Sequence, residues 1–231
     1  MSTPSPIPTD IEPRPGVHLV LAVKNLVDAK SRLATTFPGQ ERAELVLAML
    51  RDTLEAASAA EAVTGWSVVT PDARVARIAE SLGGRTVSEP ESAGRTTVER
   101  LNRALSAADD DVRHAHGGDV IALQADLPAL TTAELVQAYA AAPPDTRSVV
   151  VDHTGTGTSA LIVRGHPRRL EPRFGPDSAT RHVDSGALPL AGEWPGLRLD
   201  VDTADDVRAA LALGVGPHTT RVLAELGWRG V

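Results

Sequence analysis

Asp119-Val120-Ile121-Ala122-Leu123-Gln124, followed at once by Ala125-Asp126-Leu127-Pro128-Ala129-Leu130, is the stretch on which the fold turns. A short apolar run bounded by polar residues fits a strand buried on both faces, as in a parallel sheet. Pro128 has no N–H to give to a ladder, so the strand must stop close to Gln124. Upstream, residues 96–107 put Val98, Leu101 and Leu105 on one helical face. Downstream, Thr131-Thr132 with Glu134 has the pattern of a helix start. A buried strand between two helices is the repeating unit of an α/β domain.

The same alternation extends outward in both directions. Residues 17–23 (VHLVLAV) read as a strand, followed by a polar loop to about Thr36 and a helix from Pro38 on which Leu47, Leu50 and Leu54 recur. Residues 66–70 (WSVVT) are a second strand, 73–82 a short helix closed by Gly83-Gly84, and 85–88 a brief third strand. Beyond Leu130, strands are expected at 147–151 and 159–163, around Gly155-Thr156-Gly157-Thr158. Residues 167–186 look polar and irregular. Residues 197–201 return to strand, Thr203 with Asp206 caps a helix to Leu213, and 219–226 form the last helix. This order predicts one α/β domain over 17–231: a three-layer α/β/α sandwich around a mostly parallel, Rossmann-like sheet.

Composition narrows the function. The chain has 231 residues, 42% hydrophobic and 23% charged, with a net charge of −7. An acidic chain has no broad attraction for nucleic acid or an anionic membrane, so no partner of either kind is expected. Only 3% of residues are aromatic, which argues against a base-stacking surface. The absence of cysteine removes disulfides, thiolate metal sites and cysteine nucleophiles together. Residues 1–16 hold five prolines and no apolar run, and are expected to be a disordered tail rather than a targeting peptide. With no apolar stretch long enough to span a bilayer, a cytoplasmic location is expected.

In open α/β sheets ligands sit beyond the carboxyl ends of the strands. After the first strand come Lys24, Lys30 and Arg32, cations that suit a triphosphate or, equally, a solvated loop. No G-x-x-x-x-G-K-[ST] is present, so they do not belong to a P-loop. Asp126 stands at the mouth of the most buried strand, placed either to hold Mg2+ or to cap a turn. Asp200 and Asp202 end the late strand; Asp202 competes with Asp205 and Asp206 for the following helix start, so Asp200 is the stronger ligand candidate. Gly155–Ala160 matches G-x-G-x-x-A, but a strand follows instead of a helix, which excludes a dinucleotide fingerprint. A phosphate-binding loop and a plain hairpin both remain open. The loop from Arg173 to His182 (RFGPDSATRH) gathers two arginines, two hydroxyls and a glycine, as an anion clamp would, though a surface excursion has the same composition. The seven histidines show no paired ligand spacing, and His114 and His116 are expected in a loop.

Taken together, VKNLVDAKSRL, ADLPAL, GTGTSAL, RFGPDSATRH and DVDTADD resemble the 2-phospho-L-lactate/phosphoenolpyruvate guanylyltransferases of coenzyme F-420 biosynthesis, over residues 17–214. GTGTSAL and RFGPDSATRH are specific to that family. ADLP and the late D-x-D-T-x-x-D belong to the wider nucleotide-diphospho-sugar transferase type of fold. The resemblance implies a transfer of GMP from GTP to a small phosphorylated carboxylic acid, with Mg2+, two ions, as cofactor. It implies Asp126 and Asp200 as catalytic metal ligands with Asp202 beside them, and Lys30 as a catalytic cation. Thr158, Gly175 and Ser178 would contact the acid; Lys24, Lys30, Arg32, Arg95 and Asn102 would contact the nucleotide. Arg95 stands where relatives keep a glycine, a departure at the base-binding turn. The product is unstable, which implies handover to a following enzyme. Other transferases of the same fold, acting on molybdenum-cofactor or sugar-phosphate substrates, and a non-catalytic GTP-binding regulator are the alternatives.

Overall fold

The computed structural model describes residues 16–26, 30–87, 96–165 and 168–228. Among them, seven strands form one sheet: β1 (Val17–Ala22), β2 (Val63–Val69), β3 (Arg85–Val87), β4 (Asp119–Leu123), β5 (Arg147–Val151), β6 (Thr158–Val163) and β7 (Leu188–Pro189). Their order across the sheet is β3-β2-β1-β4-β6-β5-β7. β1 pairs in parallel with β2 and β4, β2 with β3, and β5 with β7. β6 alone runs against its neighbours β4 and β5. The sheet is thus mostly parallel, and the stretch that decided the fold lies near its middle.

Among the described residues eight α-helices cover it: α1 (Gln40–Ser58), α2 (Ala73–Ser81), α3 (Thr97–His116), α4 (Thr132–Ala141), α5 (Ser178–Asp184), α6 (Pro195–Arg198), α7 (Ala204–Leu213) and α8 (Pro217–Glu225). The two-residue period of the strands divides the core into two layers. Leu19, Leu21, Ile121, Leu123 and Ile162 face α1, α2, α4 and the late helices. Val20, Val120, Ala122, Leu161 and Val163 face Ala104, Leu105 and Val112 of α3. Burying each such side chain contributes about 1.5–3 kcal/mol, so aliphatic residues suffice where aromatics are scarce.

Capping boxes start three helices: Thr96 with Glu99, Thr131 with Glu134, and Thr203 with Asp206. A fourth start is anchored at a distance. The buried Asp52 carboxylate of α1 accepts from the amides of His218 (3.0 Å) and Thr219 (2.7 Å) at the head of α8.

Three expectations are corrected. Residues 197–201 are no strand: Pro195 at the first helical turn winds 195–198 into α6, and the chain then runs on without a ladder. Leu197, Leu199 and Val201 are buried all the same, so the apolar pattern was real but filled the core without strand pairing. α3 continues to His116, which places His114 on a helix, its Nδ1 2.6 Å from the Asp110 carbonyl. The polar 167–186 segment contains α5, and the two-residue β7 has no sequence signal. The tail 1–15 and Arg95 lie outside the described residues.

Candidate active site

The carboxyl end of β4 delivers Asp126 into an acidic cluster. Leu127 N–H donates to Thr53 Oγ1 (3.0 Å), while Thr53 donates to the Met49 carbonyl (2.8 Å), fixing the turn against α1. Val201 N–H donates to the Asp126 carbonyl (3.1 Å), which ties the loop bearing Asp200 and Asp202 to that turn. At the close approach of α6 to the turn, a Cβ on Gly196 would stand 2.1 Å from the Ala129 carbonyl oxygen, so only glycine fits.

Lys30, held in the left-handed region at φ 53°, inserts its ammonium between two carboxylates. It pairs with Asp126 Oδ2 and with Asp202 Oδ1, the latter at 2.5 Å. Burial alone would lower the lysine pKa, but the two carboxylates outweigh it and hold the ammonium above its ordinary value. Asp202 is likewise penalised by burial, yet Lys30 draws it below the usual carboxylate range. Arg32 is exposed, 3.9 Å from Asp202, and Lys24 is exposed just past β1.

Asp200 differs from its neighbours. Burial, then the negative charge of Asp126, pushes its pKa up to about 7; Lys30 opposes, and Asp152 and Asp202 add to the push. Asp126 Oδ1 and Asp200 Oδ1 are both shielded from solvent without a hydrogen-bond partner. His153 bridges toward Asp200 (3.6 Å) and Asp206 (3.2 Å). Asp152 and His153 were missed by the sequence reading, although they follow β5 directly and the strand-end rule points at them.

Beside this cluster lies a second one. Because β6 is reversed, its first residue, Thr158, emerges at the same end of the sheet as Asp126. Gln124 closes the gap, its amide donating to the Ser159 carbonyl (2.9 Å) and its side chain to that of Thr158 (3.3 Å). The 152–157 connection joins antiparallel neighbours, as a hairpin does, and Ala179 N–H donates to the Thr156 carbonyl (3.0 Å), docking α5 upon it. Thr158 Oγ1 lies 2.9 Å from His182 Nδ1, and His182 Nε2 accepts from Arg173 N–H at 2.8 Å. Ser178 is buried at the head of α5, its amide donating to the Gly175 carbonyl (3.1 Å). The structure therefore brings Thr158, Gly175 and Ser178 into one loop assembly with His182.

Asn102 is committed within this assembly. Its Oδ1 accepts from Phe174 N–H (2.7 Å), and its Nδ2 donates to the carbonyls of Phe174 and Val98 (3.0 Å each). The side chain clamps the 173–175 loop onto α3 with both Nδ2 hydrogens in use, which leaves one Oδ1 lone pair as its remaining hydrogen-bonding capacity.

Two features lie elsewhere. Asp52, Glu55 and His218 form the one group of three such residues, among those described, whose ligand atoms fall within 4.8 Å of each other. Asp52 is spent capping α8, as described above. Asp126, Asp200 and Asp202 are instead spread around the Lys30 ammonium. A cleft of about 880 Å³ between α1, α2 and α8 contains none of the strand-end residues, and two of its arginines pair with neighbouring glutamates: Arg74 with Glu44 and Arg221 with Glu225. Among the described residues no helix is long and apolar enough to cross a membrane.

A mostly parallel sheet with an acidic cluster and a small-residue loop at one end defines a nucleotidyltransferase-type domain. A solved nucleotidyl transferase from Methanothermobacter thermautotroptrophicus has this fold, with a TM-score of 0.57 over 86% of this chain and 97% of that one; at 18% identity the likeness is one of fold alone. Sequence narrows the class. The model for the guanylyl transferases described as CofC like matches residues 17–229, and the chain belongs to that family. The phosphoenolpyruvate guanylyltransferase of Nocardia farcinica is 52% identical over 213 residues, covering 92% of each chain. A protein of the same name from Mycobacterium sp. strain KMS is 53% identical over 208 residues, 90% of this chain and 92% of its own.

Proposed function

We propose that this protein transfers GMP from GTP to phosphoenolpyruvate with release of pyrophosphate, a step of coenzyme F-420 biosynthesis in the cytoplasm. The observation that carries the reading is the pairing, at one end of the sheet, of a carboxylate cluster with the Thr158–Gly175–Ser178 loop assembly. Relatives named for this activity share half of its residues over nearly the whole chain.

A phosphate oxygen of the acceptor forms a bond to the α-phosphorus of GTP, and the bond from that phosphorus to the bridging oxygen breaks, with the electron pair leaving on pyrophosphate. The acceptor monoester, with a second pKa near 6, is already an anion at neutral pH, so no general base is needed. The obstacle is repulsion between two phosphates. Lys30, with Lys24 and Arg32 nearby, supplies positive charge along the triphosphate, and Arg95, outside the described residues, is a further candidate from sequence. Thr158, Gly175 and Ser178 hold the acceptor.

Mg2+ fits the acidic cluster by its chemistry. The donors are carboxylate oxygens, and two of them are buried without a hydrogen-bond partner. Asp126 and Asp200 would hold the cation, two ions in the fullest form, with Asp202 adjoining. Bound there, it would neutralise phosphate charge and stabilise the departing pyrophosphate. Such an enol-phosphate anhydride is labile, which favours handover to the enzyme that consumes it.

Incubation with GTP, ATP, CTP or UTP, Mg2+ and one of phosphoenolpyruvate, 2-phospholactate, 3-phosphoglycerate or a sugar phosphate, followed by mass spectrometry, tests the assignment. GMP joined to phosphoenolpyruvate, with equimolar pyrophosphate, is the expected product. Pyrophosphate release with a sugar phosphate and CTP only, or GTP binding with no release under any acceptor, would overturn it.

A further inference from the structure

His182 is fully buried, and both ring nitrogens are engaged. The Arg173 backbone N–H can only donate, so Nε2, 2.8 Å away, must present its lone pair. A neutral imidazole then carries its proton on Nδ1, 2.9 Å from Thr158 Oγ1. The Nδ1 proton faces both the Thr158 hydroxyl and the Ser178 backbone; Thr158 cannot donate to a nitrogen that carries a proton, so its own proton is directed away from His182.

The surroundings keep the ring neutral. Burial, then the guanidinium charges of Arg147, Arg181 and Arg173, pushes the imidazole pKa down to about 4; the Ser178 backbone, which hydrogen-bonds the ring, is the opposing influence. Arg147 is itself buried and fixed to the Ser185 carbonyl and to Glu171. Arg181 is fixed to the Phe174 carbonyl at 3.1 Å.

We infer that His182 is a positioning residue for the acceptor: by donating through Nδ1 to Thr158 it forces the threonine hydroxyl to donate its own proton to an anionic oxygen of the phosphorylated acid. The same imidazole, through Nε2, holds the Arg173 amide and with it the loop that leads to Gly175. This inference rests on the assignment of Thr158 to the acceptor. A hydroxyl free to rotate would spend part of its time with a lone pair toward the anion; the imidazole removes that state.

The test is a double-mutant cycle with His182→Gln and Thr158→Val, following KM for GTP and for phosphoenolpyruvate separately. Glutamine can reach the Arg173 amide with its carbonyl but does not reproduce the Nδ1 donor. His182→Gln should raise KM for the acceptor about 10–100-fold, the range of a charge-assisted hydrogen bond, and leave KM for GTP unchanged. In the Thr158→Val background the same change should have little further effect. Additive effects, or equal effects on both substrates, would overturn the role of His182 while leaving the acceptor site intact. If Thr158→Val leaves the acceptor KM unchanged, the acceptor assignment itself fails, and the inference with it. Should the variants not fold, long-range 1H–15N spectra of the histidine-labelled wild-type chain decide. A neutral Nδ1–H ring that stays neutral at pH 5.5, while exposed histidines protonate, is expected; a buried Nε2–H ring would overturn the inference.

Discussion

Asp200→Asn should make the metal-free protein more stable at alkaline pH, although the side chain it removes belongs to the proposed reaction site. The Asp200 carboxyl is 17% exposed, and burial and the charge of Asp126 hold its pKa near 7 against an ordinary 3.8. A carboxyl with a raised folded-state pKa favours folding fully below its unfolded value and loses that contribution as pH climbs through about 7. At 1.36 kcal/mol per pH unit, ionising it in place costs about 3 kcal/mol between pH 5 and pH 8. Asparagine has nearly the same shape and does not ionise. Urea unfolding in EDTA should therefore show the variant gaining on the wild type by about 2–3 kcal/mol from pH 5 to pH 8, or roughly 4–10 °C in Tm. Millimolar Mg2+ should reverse the order at pH 8 by stabilising the wild type alone. Stability curves that stay parallel across this pH range would refute the reasoning, because Asp200 would then carry no excess ionisation cost.

Three further outcomes follow from the geometry. Gly175→Ala places a Cβ 2.8 Å from Val98 Cγ1 and 3.0 Å from Arg181 Nη2 at φ +116°. It should cost about 1–3 kcal/mol in thermal unfolding, of which Val98→Ala recovers the contact part and not the backbone part. Asn102→Ala leaves the Phe174 N–H without its partner, while the Phe174 carbonyl keeps Arg181; about 1–3 kcal/mol of stability should go, and steady-state kinetics should show KM rising for the acceptor rather than for GTP. Acid should weaken the fold through His182. Burial and three arginines hold its pKa at about 4 rather than 6.5, so its contribution is intact above 6.5 and lost as pH falls toward 4. By pH 5 that loss is about 2 kcal/mol, and it should be missing from the pH profile of His182→Asn.

The carboxylates were legible because their signal is local. A buried run that ends in Asp-Leu-Pro can only put Asp126 at a strand mouth, and Asp200 with Asp202 stand just before a capping box that fixes where α7 begins. Residues whose role comes from long-range packing were not legible. His182 lies in a segment read as irregular, and nothing nearby in sequence announces that Thr158 sits on one side of its ring and three guanidiniums around it. Asn102 is named as a nucleotide contact by the family resemblance alone; its bonds to Phe174, 72 positions away, are visible only in the fold. Residues 197–201 failed for a different reason. Alternating burial has the same apolar pattern whether or not a strand ladder forms, and Pro195 settled the matter by nucleating a turn.

The reversal of β6 could not be read from its sequence either, yet the site depends on it. An apolar run such as TSALIV is equally at home in either direction. Had the strand run parallel to β4, Thr158 would lie at the opposite edge of the sheet, about 15–20 Å away at ~3.3 Å per residue, and an acceptor held there could not meet a triphosphate held beside Asp126. Reversal brings the amino end of β6 level with the carboxyl end of β4, with Leu123 opposite Ala160. It also keeps the two chemistries on separate supports. The carboxylates hang from β4 and the loop entering α7, whereas the hydroxyls and the neutral imidazole hang from β6 and α5. In the proposed reading, the acceptor is thus seated on hydroxyls backed by a neutral imidazole and its surrounding arginines, one strand away from the Asp126 carboxylate.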